Sequence, residues 1–204
     1  MSTEASVRLT RSDRADLWTV VVLGIIVAVI AIAHAVSRIA AIVPNSDIEV
    51  LAPFVDTTTE LPIGPNGSMI GVEVDSAVLT VSGLPGIVIV SLIAAVIAQL
   101  LMTLAIVACG AILCRNLMLG RAFSRTNTRL VVTTSVVLVV GTALSGLFTI
   151  MGVNGAFATL SERSYDNVVA SGNLLPYIVA AALAAVALAF KAGERLQRET
   201  EGLV

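Results

Sequence analysis

The chain has 204 residues, of which 57% are hydrophobic, 13% charged and 4% aromatic; its mean hydropathy is +0.97 and its formal net charge −2. A soluble domain carries roughly 25% charged residues, so this composition excludes an ordinary water-soluble globule and points to a chain solvated by lipid. The small net charge identifies no partner, because the charges are sorted by position rather than mixed.

The first apolar run, residues 17–42, follows Arg8, Arg11 and Arg14 and is interrupted late by His34, Ser37 and Arg38. A bilayer core of about 30 Å needs roughly 20 apolar residues in a helix, so this run can span. Arg8 to Arg14 with Ala33-His34-Ala35 has the outline of a cleavable signal. The stretch from Leu17 to Ala33 exceeds the usual apolar length of such signals, so the segment is expected to stay as an anchor. Gly24, Ala28, Ala31 and Ala35 place small residues on one face, which lets a neighbouring helix approach closely.

Residues 43–85 form a loop too long to be a simple connector. It holds Asp47, Glu49, Asp56, Glu60, Glu73 and Asp75 without one Lys or Arg. Pro65-Asn66-Gly67 is a turn signal, Val72 to Asp75 alternates, and Val78-Leu79-Thr80-Val81 is a β-rich run, so a small β element resting on the helices is expected. The acids are scattered and match no calcium loop.

The second span, residues 86–113, is uncharged and longer than a perpendicular crossing requires. Ser91, Ala95, Gln99 and Thr103 make a polar, small-residue stripe along it. Cys109 and Cys114 lie near its end without metal or CxxC spacing, and read as small apolar residues. The loop over residues 114–129 carries Arg115, Arg121, Arg125 and Arg129 and no acid. Arg121, Arg125 and Arg129 fall on one helix face, where three like charges repel unless something acidic meets them. Ser124 can cap a helix running into the third span, residues 130–151, on which Gly141, Ser145, Thr149 and Gly152 form another small face. The fourth span covers residues 174–190, and the tail over 191–204 adds Lys191, Arg195 and Arg198. Ser82-Gly83-Leu84-Pro85 and Asn173-Leu174-Leu175-Pro176 each set a capping residue and a proline at a helix start.

Ten of the twelve basic residues therefore lie on one side, leaving Arg38 and Arg163 on the other. The positive-inside rule makes the ten-residue side cytoplasmic. The expected fold is an all-α integral membrane protein: a bundle of four transmembrane helices forming a single membrane domain. It would carry a small β-containing extracytoplasmic loop, with both termini in the cytoplasm.

Two groups of residues are candidates for function. His34 and Arg38 share a helix face near the outer end of the first span, and with Gln99 and Thr103 they make a candidate intramembrane polar site. Arg121, Arg125 and Arg129, with Leu203 and Val204 of the tail, make a candidate docking surface for a partner or for anionic lipid headgroups on the cytoplasmic side. There is no GxSxG, HExxH, Walker A or GxGxxG motif, and one histidine cannot build a multi-histidine metal site. No catalytic, cofactor or metal site is expected, and no direct nucleic-acid binding.

The segment Leu119-Gly120-Arg121-Ala122-Phe123-Ser124-Arg125-Thr126-Asn127, followed by a long apolar run, and the ending Phe190 to Val204, closing in Glu-Gly-Leu-Val, resemble recurring features of one bacterial family. They look like the four-helix membrane family catalogued as domain of unknown function 2975, more so its actinobacterial branch. That resemblance would cover nearly the whole chain, the outer loop carrying no distinctive match. It implies a bacterial cytoplasmic-membrane protein of a family with no established activity. It also implies a membrane partner for cytoplasmic machinery, since members look like neighbours of small helix-turn-helix regulators. The leading expectation is thus a non-enzymatic membrane protein that interacts with or regulates a cytoplasmic or membrane protein, with the outer loop as a sensing element. The alternatives are a small transporter or channel subunit, or an accessory subunit of a larger membrane complex.

Overall fold

Thr10 opens the first helix with a reciprocal cap. Its backbone N–H donates to Asp13 Oδ2 at 2.8 Å, and the Asp13 N–H donates to Thr10 Oγ1 at 3.2 Å. Two of the amide groups that a helix start leaves without intrahelical partners are satisfied in this way. In the computed structural model, which describes residues 10–54, 57–120, 124–164 and 172–201, helix α1 then runs over Arg11–Ile42. Four strands follow, β1 (Ile48–Pro53), β2 (Thr58–Leu61), β3 (Ile70–Glu73) and β4 (Ser76–Val81). Three further helices complete the order: α2 (Gly86–Met118), α3 (Arg125–Leu160) and α4 (Leu175–Glu201).

All four helices are long and apolar enough to cross a membrane. Only 6% of the apolar window of α1 is buried within the protein, and 17% of that of α2. Large apolar side chains such as Trp18, Ile30, Val90 and Ile178 are exposed. Surface of that kind suits contact with an apolar medium. At a rise of about 1.5 Å per residue, α1 to α3 are each roughly 50 Å long, longer than the about 30 Å of a hydrocarbon core.

The chain divides into two compact units. The first comprises Met1–Ala35, Ala98–Ala143 and Asn173–Val204, and the second Val36–Ile97 and Leu144–Gly172. In the first unit, Leu17, Val21, Gly24, Ala28, Ala31 and Ala35 are the less exposed residues of α1, at alternating spacings of four and three. This is the face expected from the small residues, and a Cβ on Gly24 would stand 3.3 Å from Val107 of α2. α2 meets α3 through Gly141, where a Cβ would fall 2.6 Å from Met102 Cγ. It meets α3 again through Asn116, whose Nδ2 donates to Oδ1 of the fully buried Asn127 at 2.8 Å. α3 meets α4 through Ser135, whose hydroxyl donates to the Ala180 carbonyl at 2.8 Å. On α4 the buried residues Ala180, Ala187 and Glu194 recur every seven positions, a seam of two small residues and a carboxylate.

In the second unit, β1 pairs antiparallel with β4 from Ile48↔Val81 to Pro53↔Ser76. β2 pairs antiparallel with β3 from Thr58↔Glu73 to Leu61↔Ile70. The inward residues Ile48, Val50 and Ala52 of β1, with Val81 of β4, join Val88 and Leu92 of α2 and Val153, Ala156 and Phe157 of α3 in one buried cluster. Phe54 packs edge-on against Phe157, with ring centroids 5.4 Å apart. The small β element thus rests on helix ends, as its sequence suggests. Beneath it, Gly152 and Gly155 of α3 lie against Leu92 and Val88, and the Ser145 hydroxyl is 3.4 Å from the Ala95 carbonyl. Three of the four small residues expected on one face of α3 therefore do face α2, each within its own unit.

The start of α2 differs from expectation. Ser82 does not cap it: its hydroxyl accepts the Asp47 N–H at 2.8 Å. Asn45 supplies the partner instead, accepting the Leu84 N–H at 2.8 Å through Oδ1 and donating from Nδ2 to the Leu84 carbonyl at 3.1 Å. Asn45 and Asp47 both hold left-handed backbone, φ 53° and 50°. Short polar side chains accept that conformation more readily than others, so the turn between α1 and β1 and the approach to α2 are fixed as one clasp.

Candidate functional site

The first turn of α3 contains no acidic residue. Its positive dipole end is therefore reinforced by Arg125 and Arg129 rather than offset. Ser124 caps the helix as expected: its Oγ accepts the Asn127 N–H at 3.2 Å. That cap, with the Asn116–Asn127 bond, fixes the rotation of α3 about its axis. Arg125, Thr128, Arg129 and Val132 then share one face, being three and four residues apart.

α4 brings a matching face. Its apolar run ends at Phe190, and the helix continues as a polar segment to Glu201. Lys191, Glu194 and Arg195 stand at spacings of three and one. With the four α3 residues they line an open cleft of about 740 Å³. Arg125 Nε donates to Glu194 Oε1 at 3.2 Å, across 69 positions of sequence. The two partners are unequal, with Glu194's side chain 11% exposed and Arg125's 72%. The carboxylate is the fixed member, and the guanidinium is held at its rim with most of its surface open.

Four of the seven lining residues are basic and one is acidic. The cleft can therefore hold an anion by several cationic donors at once, with the Arg side chains able to offer paired N–H groups to a phosphate or carboxylate. Of the docking residues expected from sequence, the structure brings Arg125 and Arg129 together on this cleft. Arg121, Leu203 and Val204 lie outside the described residues. Sequence spacing did not reveal that Lys191, Glu194 and Arg195 face the arginines of α3. The signal was present in the seven-residue seam of Ala180, Ala187 and Glu194, which turns Glu194 inward.

The second candidate group is dispersed. His34 and Gln99 are exposed on their helices. The Thr103 hydroxyl donates to the Gln99 carbonyl at 2.9 Å, within its own helix turn. Arg38, in the second unit, donates from a terminal guanidinium nitrogen to the Glu49 carbonyl of β1 at 3.1 Å, tying the end of α1 to the sheet.

No family model matches the chain, and no curated protein or solved structure matches it.

Proposed function

We propose that this is a non-enzymatic, four-pass protein of the bacterial cytoplasmic membrane that binds and regulates a protein partner through its cytoplasmic side. The observation that carries this reading is the polar helix by which α4 runs on past Phe190 to Glu201, beside the exposed Arg125 and Arg129 of α3 at the rim of the basic cleft. Ten of the twelve basic residues fall on that side by sequence, which makes it cytoplasmic under the positive-inside rule. An arginine-rich surface flanked by a projecting polar helix suits an acidic protein segment. The family resemblance of the segment around Ser124 and of the tail agrees with a partner role, and the opposite loop with its β strands is the element available for sensing.

Two placements support this reading over a transport path. Of the polar residues that would line such a path, His34 and Gln99 are exposed on their helices, and the Thr103 hydroxyl donates within its own helix to the Gln99 carbonyl. The small face of α3 is filled by Met102, Leu92 and Val88 of α2.

Co-purification in mild detergent tests the proposal, using wild type, an Arg121→Lys/Arg125→Lys/Arg129→Lys variant and a chain truncated after Thr200. Lys preserves topology but not bidentate geometry, so a genuine partner is retained by wild type and depleted from at least one variant. Identical protein sets from all three, with unchanged topology, would overturn the docking role.

A further inference from the structure

We infer that the cleft is a seat for the headgroup of an anionic phospholipid, and that Glu194 is an internal carboxylate competing for the same arginine. The inference rests on the cytoplasmic orientation proposed above and not on the identity of any protein partner.

Position favours lipid over protein as the occupant of the cleft itself. Arg129 immediately precedes the apolar run that starts at Leu130, and Lys191 immediately follows the one that ends at Phe190. The basic rim therefore stands where two candidate spans leave the hydrocarbon, which is the level of the phosphates. Val132 lines the same cleft one turn deeper and is exposed. A headgroup phosphate among Arg125, Arg129 and Lys191 would set its glycerol and first methylenes against Val132, whereas a soluble acidic segment has no use for that apolar wall. Basic clefts between helices at this depth are suited to phosphate headgroups.

Glu194 gives the inference its distinguishing sign. Its carboxylate already accepts from Arg125 and stands in the cleft with the negative charge that a phosphate would bring. Removing that charge while keeping the shape should release Arg125 to the ligand and strengthen binding. Removing a basic residue should weaken it. A cleft that serves only as a structural clamp would respond the same way to both changes.

The test is native mass spectrometry of the full chain in detergent. The probes are short-chain phosphatidylglycerol and phosphatidylcholine in equal amounts, with inorganic phosphate and an oligoglutamate peptide as competitors. Wild type should retain phosphatidylglycerol in preference to phosphatidylcholine. Arg129→Gln and Lys191→Gln should each lower that retention about fivefold, and Glu194→Gln should raise it. Thermal midpoints in phosphatidylcholine micelles equal to wild type for the two basic-site variants show that they fold. If either variant unfolds there, Arg129→Lys and Lys191→Arg, which keep the charge, should retain the lipid. Loss of retention in those charge-preserving variants would contradict the inference. Equal retention of the two lipids, or a loss with Glu194→Gln matching the loss in the basic-site variants, would overturn it. Displacement by inorganic phosphate at the lipid's own concentration would make free phosphate the ligand. Displacement by oligoglutamate at that concentration would make the cleft a protein-docking site, and either result excludes the lipid seat while leaving the partner-binding role standing.

Discussion

Arg125 and Glu194, 69 positions apart, meet at 3.2 Å and join the first residue of α3 to the polar extension of α4. Both residues line the basic cleft, and Arg125 is mostly exposed. With the guanidinium largely in solvent and only the carboxylate buried, the pair is screened and contributes on the order of 1 kcal/mol, weakening with salt. Arg125→Ala should therefore lower the thermal midpoint in detergent only slightly, and the difference should shrink in molar salt. A large, salt-independent loss would mean that the arginine packs rather than pairs.

Close helix approach in the first unit depends on Gly141. A Cβ there would lie 2.6–2.7 Å from Met102 Cγ, Cβ and Sδ, so the root of that side chain must move. At Gly146, also in α3, a Cβ meets nothing within 4 Å. Overpacking costs roughly 1–3 kcal/mol, whereas Gly→Ala in an open helix position gains up to about 1 kcal/mol. Gly141→Ala should lower the thermal midpoint and Gly146→Ala should hold or raise it. Equal shifts would show that neither position touches a neighbour.

The Asn45 clasp gives a prediction for the second unit. Asn45→Gly keeps the left-handed backbone but loses both hydrogen bonds to Leu84. Asn45→Ala loses the same bonds and adds the steric cost of a Cβ at positive φ, about 1–2 kcal/mol. Alanine should therefore be the more destabilising substitution in thermal unfolding. If glycine were the worse of the two, chain entropy rather than backbone strain would govern this turn.

At the start of α3, Ser124→Ala should cost about 1 kcal/mol through the lost cap to Asn127, and Ser124→Asp should recover most of it. Hydrogen exchange of the Asn127 and Thr128 amides reports this cap directly. Unchanged protection in the alanine variant would show that the hydroxyl contact carries no cap energy.

The four apolar helices were legible because lipid as solvent demands long uninterrupted runs, and no tertiary contact is needed to read them. The small faces of α1 and α3 were legible for a related reason: close approach admits only small residues, so Gly24, Ala28, Gly141 and Gly152 mark the interface themselves. Strands β1 and β2 were not. All four residues of β2 are exposed, so no buried alternation betrays it, and its conformation is set by pairing with β3. The helix ends were also extended past the apolar runs, because caps such as Thr10–Asp13 carry α1 six residues upstream of Leu17. In the cleft, Arg125 and Arg129 could be picked out by like-charge spacing. Their α4 partners could not be picked out by charge spacing: the seven-residue seam of Ala180, Ala187 and Glu194 marks Glu194 as inward, but which residues it meets across 69 positions depends on how the two helices pack.

Orientation is the claim on which the cytoplasmic cleft and its proposed occupants stand, and site-directed labelling measures it most directly. With Cys109 and Cys114 replaced by Ala, single cysteines at Thr58 in β2 and Thr126 beside Arg125 are both exposed. A membrane-impermeant thiol reagent applied to intact cells should label Thr58→Cys, and should reach Thr126→Cys only after permeabilisation. Labelling of Thr126→Cys but not Thr58→Cys in intact cells would place the basic cleft outside and contradict the account.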